Sequence, residues 1–218
     1  MQEKGRVEET ILLYKNLGWK SLFAKIRFYD APYLTVEKLV PQKGKIIDLG
    51  CGEGFFSNFI AVNSHKRNVL GIELDRDRVS VANRGLKNVK FVQGDALSFK
   101  LPKCDCIILF HLMHHLPSYD SQEYLLEKCS KALRKSGKLM IIEIDRKVSL
   151  KFLITWLTDH FLVPWIFEKR VFSKIYFRSK KDWLGVLKEH GFVCREIKPT
   201  EGFMPFEHLI LECELRAK

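Results

Sequence analysis

Three alternating glycines directly behind a carboxylate mark Lys45-Ile46-Ile47-Asp48-Leu49-Gly50-Cys51-Gly52-Glu53-Gly54 as the stretch with the clearest chemical meaning. The apolar run before Asp48 reads as a buried parallel strand, and the glycines as a tight turn whose bare backbone lets a ligand come close. Apolar positions through Phe55, Phe56, Phe59, Ile60 and Val62 then suit a helix. Strand, glycine loop and helix make the opening unit of a nucleotide-type α/β site, with the nucleotide still open. Two more carboxylates follow apolar runs: Glu73, ahead of Leu74, and Asp95, ahead of Ala96. Beyond a fourth run, ending at Phe110, stands His111-Leu112-Met113-His114-His115-Leu116-Pro117. Histidine has the right intrinsic pKa for a base, and His114 and His111 are the candidates; the same loop also reads as a structural anchor. These histidines lack an acidic or Cys partner spaced for a tetrahedral site, so no metal is expected.

The elements that must position these groups read as alternating strands and helices. Residues 7–28 carry helical, amphipathic spacing weakened by Gly18 and broken by Pro32, and a short helix over 35–40 precedes the first strand. Strands are predicted at 68–73, 89–93, 106–110 and 138–144. Asp75 caps a short helix that Gly85 ends, and Asp120 with Glu123 opens a longer one that Gly137 closes. Ser179 and Asp182 begin a last helix ending at Gly191, and Val193–Ile197 and His208–Leu215 form a hairpin with a long connection. The alternation implies a parallel, doubly wound sheet. The chain has 46% hydrophobic and 29% charged residues, which fits one soluble globular domain.

A dinucleotide loop wants a glycine at the sixth position, where this chain has Phe55. With Asp48 ahead of its first glycine, the loop instead resembles the first motif of the class I S-adenosylmethionine (SAM)-dependent methyltransferases. The likeness continues in register through Gly71-Ile72-Glu73, Gly94-Asp95-Ala96, Phe110 to Leu116 and Leu133-Arg134-Lys135-Ser136-Gly137. It implies a Rossmann-like, doubly wound, mainly parallel seven-stranded α/β sheet with a C-terminal antiparallel hairpin. It also implies an enzyme that binds SAM and releases S-adenosylhomocysteine (SAH). By that resemblance Gly50, Cys51, Gly52 and Gly54 let the backbone approach the cofactor, and Asp48 lies near its methionine end. Glu73 accepts the ribose hydroxyls beside Leu74, Asp95 and the Ala96 N–H meet the adenine, and main chain around Phe110 and His111 takes the ammonium. A phosphate site would want Lys or a free helix N-terminus; this loop has neither Lys nor phosphate-like company, and its carboxylates suit a cation.

The family's resemblance favours a small-molecule, lipophilic or aromatic acceptor, since the Asn/Asp-Pro-Pro-aromatic motif of many nucleic-acid amine methyltransferases is absent. The expected organisation is one domain: a helical segment 1–44, a core 45–145, a lid insertion 146–180, and the final helix and hairpin 181–218. The net charge of +11 is locally concentrated, with Lys169, Arg170, Lys174, Arg178, Lys180 and Lys181 against Glu168 within 166–181. Phe167, Phe172, Tyr176 and Phe177 are interleaved with them, so 148–181 is a candidate for peripheral contact with an anionic membrane, against the alternative of a solvated lid. The rival functions are an RNA or protein methyltransferase using the basic segment, and a non-catalytic SAM-binding subunit. The six cysteines are scattered without a CxxC pair, suggesting neither zinc nor disulfides, and with no apolar leader at the N-terminus the expected setting is reducing and cytoplasmic.

Overall fold

The computed structural model describes residues 2–144, 175–201 and 207–216. Most of the expected lid and its surface contact, at 146–174, therefore lies outside the described residues. Three helices open the chain, α1 (Gln2–Leu12), α2 (Trp19–Asp30) and α3 (Tyr33–Leu39). There follow β1 (Gly44–Leu49), α4 (Phe55–Asn63), β2 (Arg67–Glu73), α5 (Arg76–Ala82), β3 (Val89–Gln93) and β4 (Cys104–Phe110). After a 3-10 turn at Met113–His115 come α6 (Tyr119–Ala132), β5 (Leu133–Ile144), α7 (Lys180–Glu189), β6 (Phe192–Ile197) and β7 (His208–Leu215).

The seven strands lie in the order β3-β2-β1-β4-β5-β7-β6, with β7 antiparallel to both of its neighbours and the other pairs parallel. Because side chains alternate across a strand, β1 sends Ile46 to one face and Ile47 and Leu49 to the other. Ile47 and Leu49 pack in one layer with Leu125, Leu126 and Cys129 of α6 and Trp183 and Leu187 of α7. Ile46 packs in the other with Phe55, Phe56 and Phe59 of α4 and Tyr33 and Val36 of α3. The expected doubly wound sheet and terminal antiparallel pair are both present.

Four local expectations are corrected. The single helical stretch at 7–28 is two helices, because Gly18 takes φ 57° ahead of α2. Helix α6 is capped by Ser118, whose Oγ accepts from Ser121 N at 3.0 Å, and not by Asp120 with Glu123. It ends at Ala132, ahead of Gly137, because Leu133 already pairs with Cys104 at the start of β5; a register shift then realigns Cys106 with Lys138. Cys194 and Cys213 form a disulfide, since the β6–β7 register sets them directly opposite each other. The capping box of Ser179 and Asp182 stands as expected.

One buried cation ties the first half of the fold together. The Arg67 guanidinium donates from Nε to Pro41 O (2.8 Å), from Nη1 to Glu37 Oε1 (2.7 Å) and Ile60 O (2.9 Å), and from Nη2 to Glu37 O (3.3 Å) and Val40 O (2.9 Å). All five donors are satisfied, linking the ends of α3 and α4 to the start of β2. A buried pair broken by removal of one partner is strongly destabilising. Arg67→Ala is expected to lower stability by about 3–5 kcal/mol in denaturant titration. Glu37→Gln, which leaves the four carbonyl contacts, should have a clearly smaller effect.

Candidate active site

In an open α/β sheet, ligands bind outside the carboxyl ends of the strands where the winding reverses. Here that point lies between β1 and β4, and the glycine loop opens on it. Gly50 N and Cys51 N both donate to Ile72 O, at 2.8 and 3.1 Å, folding the loop back over β2. Gly50 sits at φ 71°, and a Cβ there would come within 2.7 Å of Leu112 Cδ1, so its bareness serves the approach of the histidine loop. Gly52 also has positive φ, 54°, but a Cβ there would meet nothing within 4 Å. The loop is therefore open at Gly52 and closed by protein at Gly50, which divides the role expected of the two.

Asp48 stands beneath this loop, 2% exposed. Its Oδ2 accepts from Ser57 Oγ at 2.5 Å, and its Oδ1 is buried with no hydrogen-bond partner among the described residues. Burial, with Glu73 nearby, pushes its pKa from 3.8 up to about 7. Glu73, expected to accept ribose hydroxyls, accepts here from Gly52 N (2.9 Å) and Asp75 N (3.0 Å), so it braces the glycine loop. Burial and the two carboxylates push the Cys51 thiol well up, which leaves a neutral wall and no nucleophile. Leu74, beside Glu73, is 66% exposed, an apolar surface at the crevice mouth. Asp95 is exposed and accepts from Leu97 N at Oδ1, at 2.8 Å, as a turn aspartate does.

Supporting contacts come from far along the chain. Tyr14 donates to Glu53 O (2.9 Å) and receives Asn58 Nδ2 (2.6 Å), fastening the N-terminal helices to the glycine loop. The Lys128 ammonium reaches Ala96 O (2.9 Å), Leu97 O and Phe99 O (3.1 Å), fixing the turn that carries Asp95 and Ala96. Nothing in the spacing points to Tyr14 or Lys128.

The histidines have different surroundings. His114 is 2% exposed, with Nδ1 on Glu143 Oε2 and its ring stacked on Phe177 at 4.9 Å. Glu143 Oε1 also accepts from Met113 N at 2.8 Å, and buried Gln122 bridges Met113 O (2.9 Å) and Tyr176 O (2.8 Å). His111 follows buried Phe110 at φ 53°, a left-handed conformation uncommon outside glycine, and donates its N–H to Ile142 O at 2.8 Å. Its ring is half-buried and meets His208 of β7, Nε2 to Nδ1, at 3.1 Å. Glu143 and His208 were both missed. A lone carboxylate in the apolar run Met140–Ile144 was the available signal for Glu143; His208 had none.

The loop, the switch point and the terminal antiparallel strand together define the Rossmann-like fold of class I methyltransferases. Residues 46–137 match the family model of the methyltransferase domain. An uncharacterised methyltransferase of Bacillus mycoides is 31% identical over 102 residues, 46% of this chain and 47% of its own length. The chain thus spans about half the length of the curated relatives it matches. The mitomycin 7-O-methyltransferase MmcR superimposes with a TM-score of 0.69 at 17% identity, over 94% of this chain and 60% of that one. DhpI in complex with SAH does so with 0.67 at 17% identity, over 99% and 98%.

Holding Asp48 ionised at neutral pH costs on the order of 4 kcal/mol, the distance between its free and folded pKa values. Between pH 4 and 7 the folded chain keeps a proton that the unfolded chain has released. This contribution to stability is therefore full below about pH 4 and lost as pH rises through about 7. His208, pushed down to about 4 mainly by burial, acts in the opposite sense, so a variant must isolate Asp48. Asp48→Asn is expected to raise the melting temperature of the ligand-free protein at pH 7.5. The gain over the parent should shrink steadily toward pH 4.5; a gain that does not vary with pH would contradict the assignment.

Proposed function

We propose that the chain is a SAM-dependent methyltransferase that transfers the methyl group to a small-molecule acceptor, lipophilic or aromatic, and releases SAH. The observation that carries this reading is the Asp48 carboxylate with its unpartnered Oδ1, buried beside Glu73 under a loop that is open at Gly52. Such a site is unsuited to a phosphate and suited to a ligand with cationic groups. SAM brings a sulfonium, an ammonium, a ribose diol and an adenine, and each has a counterpart here. Asp48, with main chain around Phe110 and His111, faces the methionine end. Glu73, which uses only two of its four acceptor positions on the loop, takes the ribose hydroxyls. Leu74, Asp95 and the Ala96 N–H take the adenine, on a turn braced by Lys128. Gly52, with Cys51 beside it, lines the approach, while Gly50 and Gly54 serve close packing against Leu112, Ala82 and Phe91.

SAM itself supplies the electrophilic methyl group. The protein's part is to align the acceptor with it, exclude water and accept a proton where the acceptor carries one. His111 and His114 are the candidate groups for that last task. MmcR, a mitomycin 7-O-methyltransferase of the same fold, supports a small-molecule acceptor.

Calorimetry against SAM, SAH and NAD tests the cofactor, with tight SAM and SAH binding expected and tighter NAD binding overturning the proposal. Glu73→Ala should weaken SAM binding by about 10–100-fold, the worth of hydrogen bonds to a charged group, and Asp95→Ala by about 10-fold. SAM affinity should also rise from pH 5.5 to 7.5 as Asp48 loses its proton to solvent and can pair with a cationic ligand. That dependence should vanish in Asp48→Asn.

A further inference from the structure

His111, His208 and the carbonyl of Asp30 form a chain whose proton positions follow from chemistry alone. A carbonyl only accepts, so the 2.8 Å contact between His208 Nε2 and Asp30 O requires a hydrogen on Nε2. Burial pushes the His208 pKa down to about 4, so at neutral pH the ring carries no second hydrogen and Nδ1 is a lone pair. The 3.1 Å contact from His111 Nε2 to that lone pair then requires the hydrogen on His111 Nε2. His111 is itself held neutral by burial and by His208, Arg27 of α2, and His114 and His115 of its own loop. Glu201 faces His208 from the connection before β7, and the Asp30 carboxylate is engaged by Arg27 at 3.4 Å. Nδ1 of His111 is thus a bare lone pair, with no hydrogen-bond partner among the described residues, on a half-buried ring at the carboxyl end of β4.

We infer that His208 and the Asp30 carbonyl are positioning groups that fix the tautomer of His111, so that His111 Nδ1 receives the proton of a hydroxyl-bearing acceptor. This rests on the methyltransferase reading above. The acceptor oxygen gains the methyl group, the C–S electron pair stays on sulfur, and the hydroxyl hydrogen passes to Nδ1 as a proton. One positive charge leaves the sulfonium as one appears on the imidazole, so the pocket's total charge is unchanged. A neutral hydroxyl fits this arrangement better than a protonated amine, which would bring a further cation toward Arg27 and the sulfonium. A carbon or thiolate acceptor would not use the lone pair. His114, held by Glu143 and stacked on Phe177, anchors the loop from which His111 projects.

Nitrogen-15 NMR of histidine-labelled protein reads the tautomer directly. The parent protein should show His111 with Nε2 protonated and Nδ1 bare. His208→Phe should mix the two tautomers, and His208→Gln, whose amide can accept from Nε2–H and donate to the Asp30 carbonyl, should restore the parent state. With labelled SAM and a metabolite extract, the product should be a methyl ether. His208→Phe should slow its formation by about 10-fold with SAM affinity held, and His111→Phe should slow it by about 10²-fold. An Nδ1-protonated His111, a tautomer indifferent to His208→Phe, or label delivered to carbon or sulfur would overturn the inference. SAM binding without any labelled product would overturn the proton-accepting role, whereas a parent protein that does not bind SAM would fell the methyltransferase reading instead.

Discussion

A carboxylate buried with one oxygen unpartnered is the constraint to which the rest of this structure answers. Asp48 lies near the end of the central strand, buried to 2% exposure by sheet, glycine loop and α4, with Oδ1 unpartnered among the described residues. A penalty on the order of 4 kcal/mol is a large part of the 5–15 kcal/mol by which a domain of this kind is stable. The surrounding contacts are accordingly strong. Arg67 satisfies all five of its donors in binding α3, α4 and β2 to one another. Tyr14 and Asn58 close the far side of the loop, and Glu73 pulls Gly52 toward β2. A site held so firmly has little to reorganise, so a cation bound there, as proposed, would offset part of that electrostatic cost.

The same electrostatics explains the condition of the histidines. A protonated imidazole beside the proposed sulfonium site would repel the ligand that Asp48 and Glu73 are proposed to attract. Burial keeps His111 and His208 neutral, and the chain to the Asp30 carbonyl gives each nitrogen a defined role. The left-handed backbone at His111 belongs to this arrangement: it turns the chain sharply after β4 while the N–H still bonds to β5. Strain at one non-glycine residue is tolerated because Ile142, His208 and the anchored His114 over-determine its position.

What could be read from the sequence was local, and what could not was distant. The glycine loop, its Asp48, and the strands ending in Glu73 and Phe110 are each contiguous patterns of apolar period and turn chemistry, and the sheet follows from their alternation. Ser118 displaced Asp120 as the helix cap because both are good caps two residues apart, and only the docked helix decides between them. The Cys194–Cys213 bridge depends on strand register, which spacing in sequence does not reveal. His208 meets His111 from 97 residues away and Asp30 from 178. Glu143 reaches His114 across 29, and Lys128 reaches its turn across about 30. Partners of that kind exist only once the sheet has formed.

This difference in range separates the two halves of the chemistry. The proposed donor side is written in one continuous motif plus two strand ends. The proposed acceptor side draws on α2 through Asp30, the loop after β4 through His111, β5 through Glu143, α6 through Gln122 and β7 through His208. No single segment carries it, and apart from the His111 loop, also proposed for the methionine end, those elements stand outside the proposed donor residues. Function on a common fold diversifies where the contacts are long-range and separately replaceable. In this chain that place is the edge where β4, β5 and β7 meet the N-terminal helices.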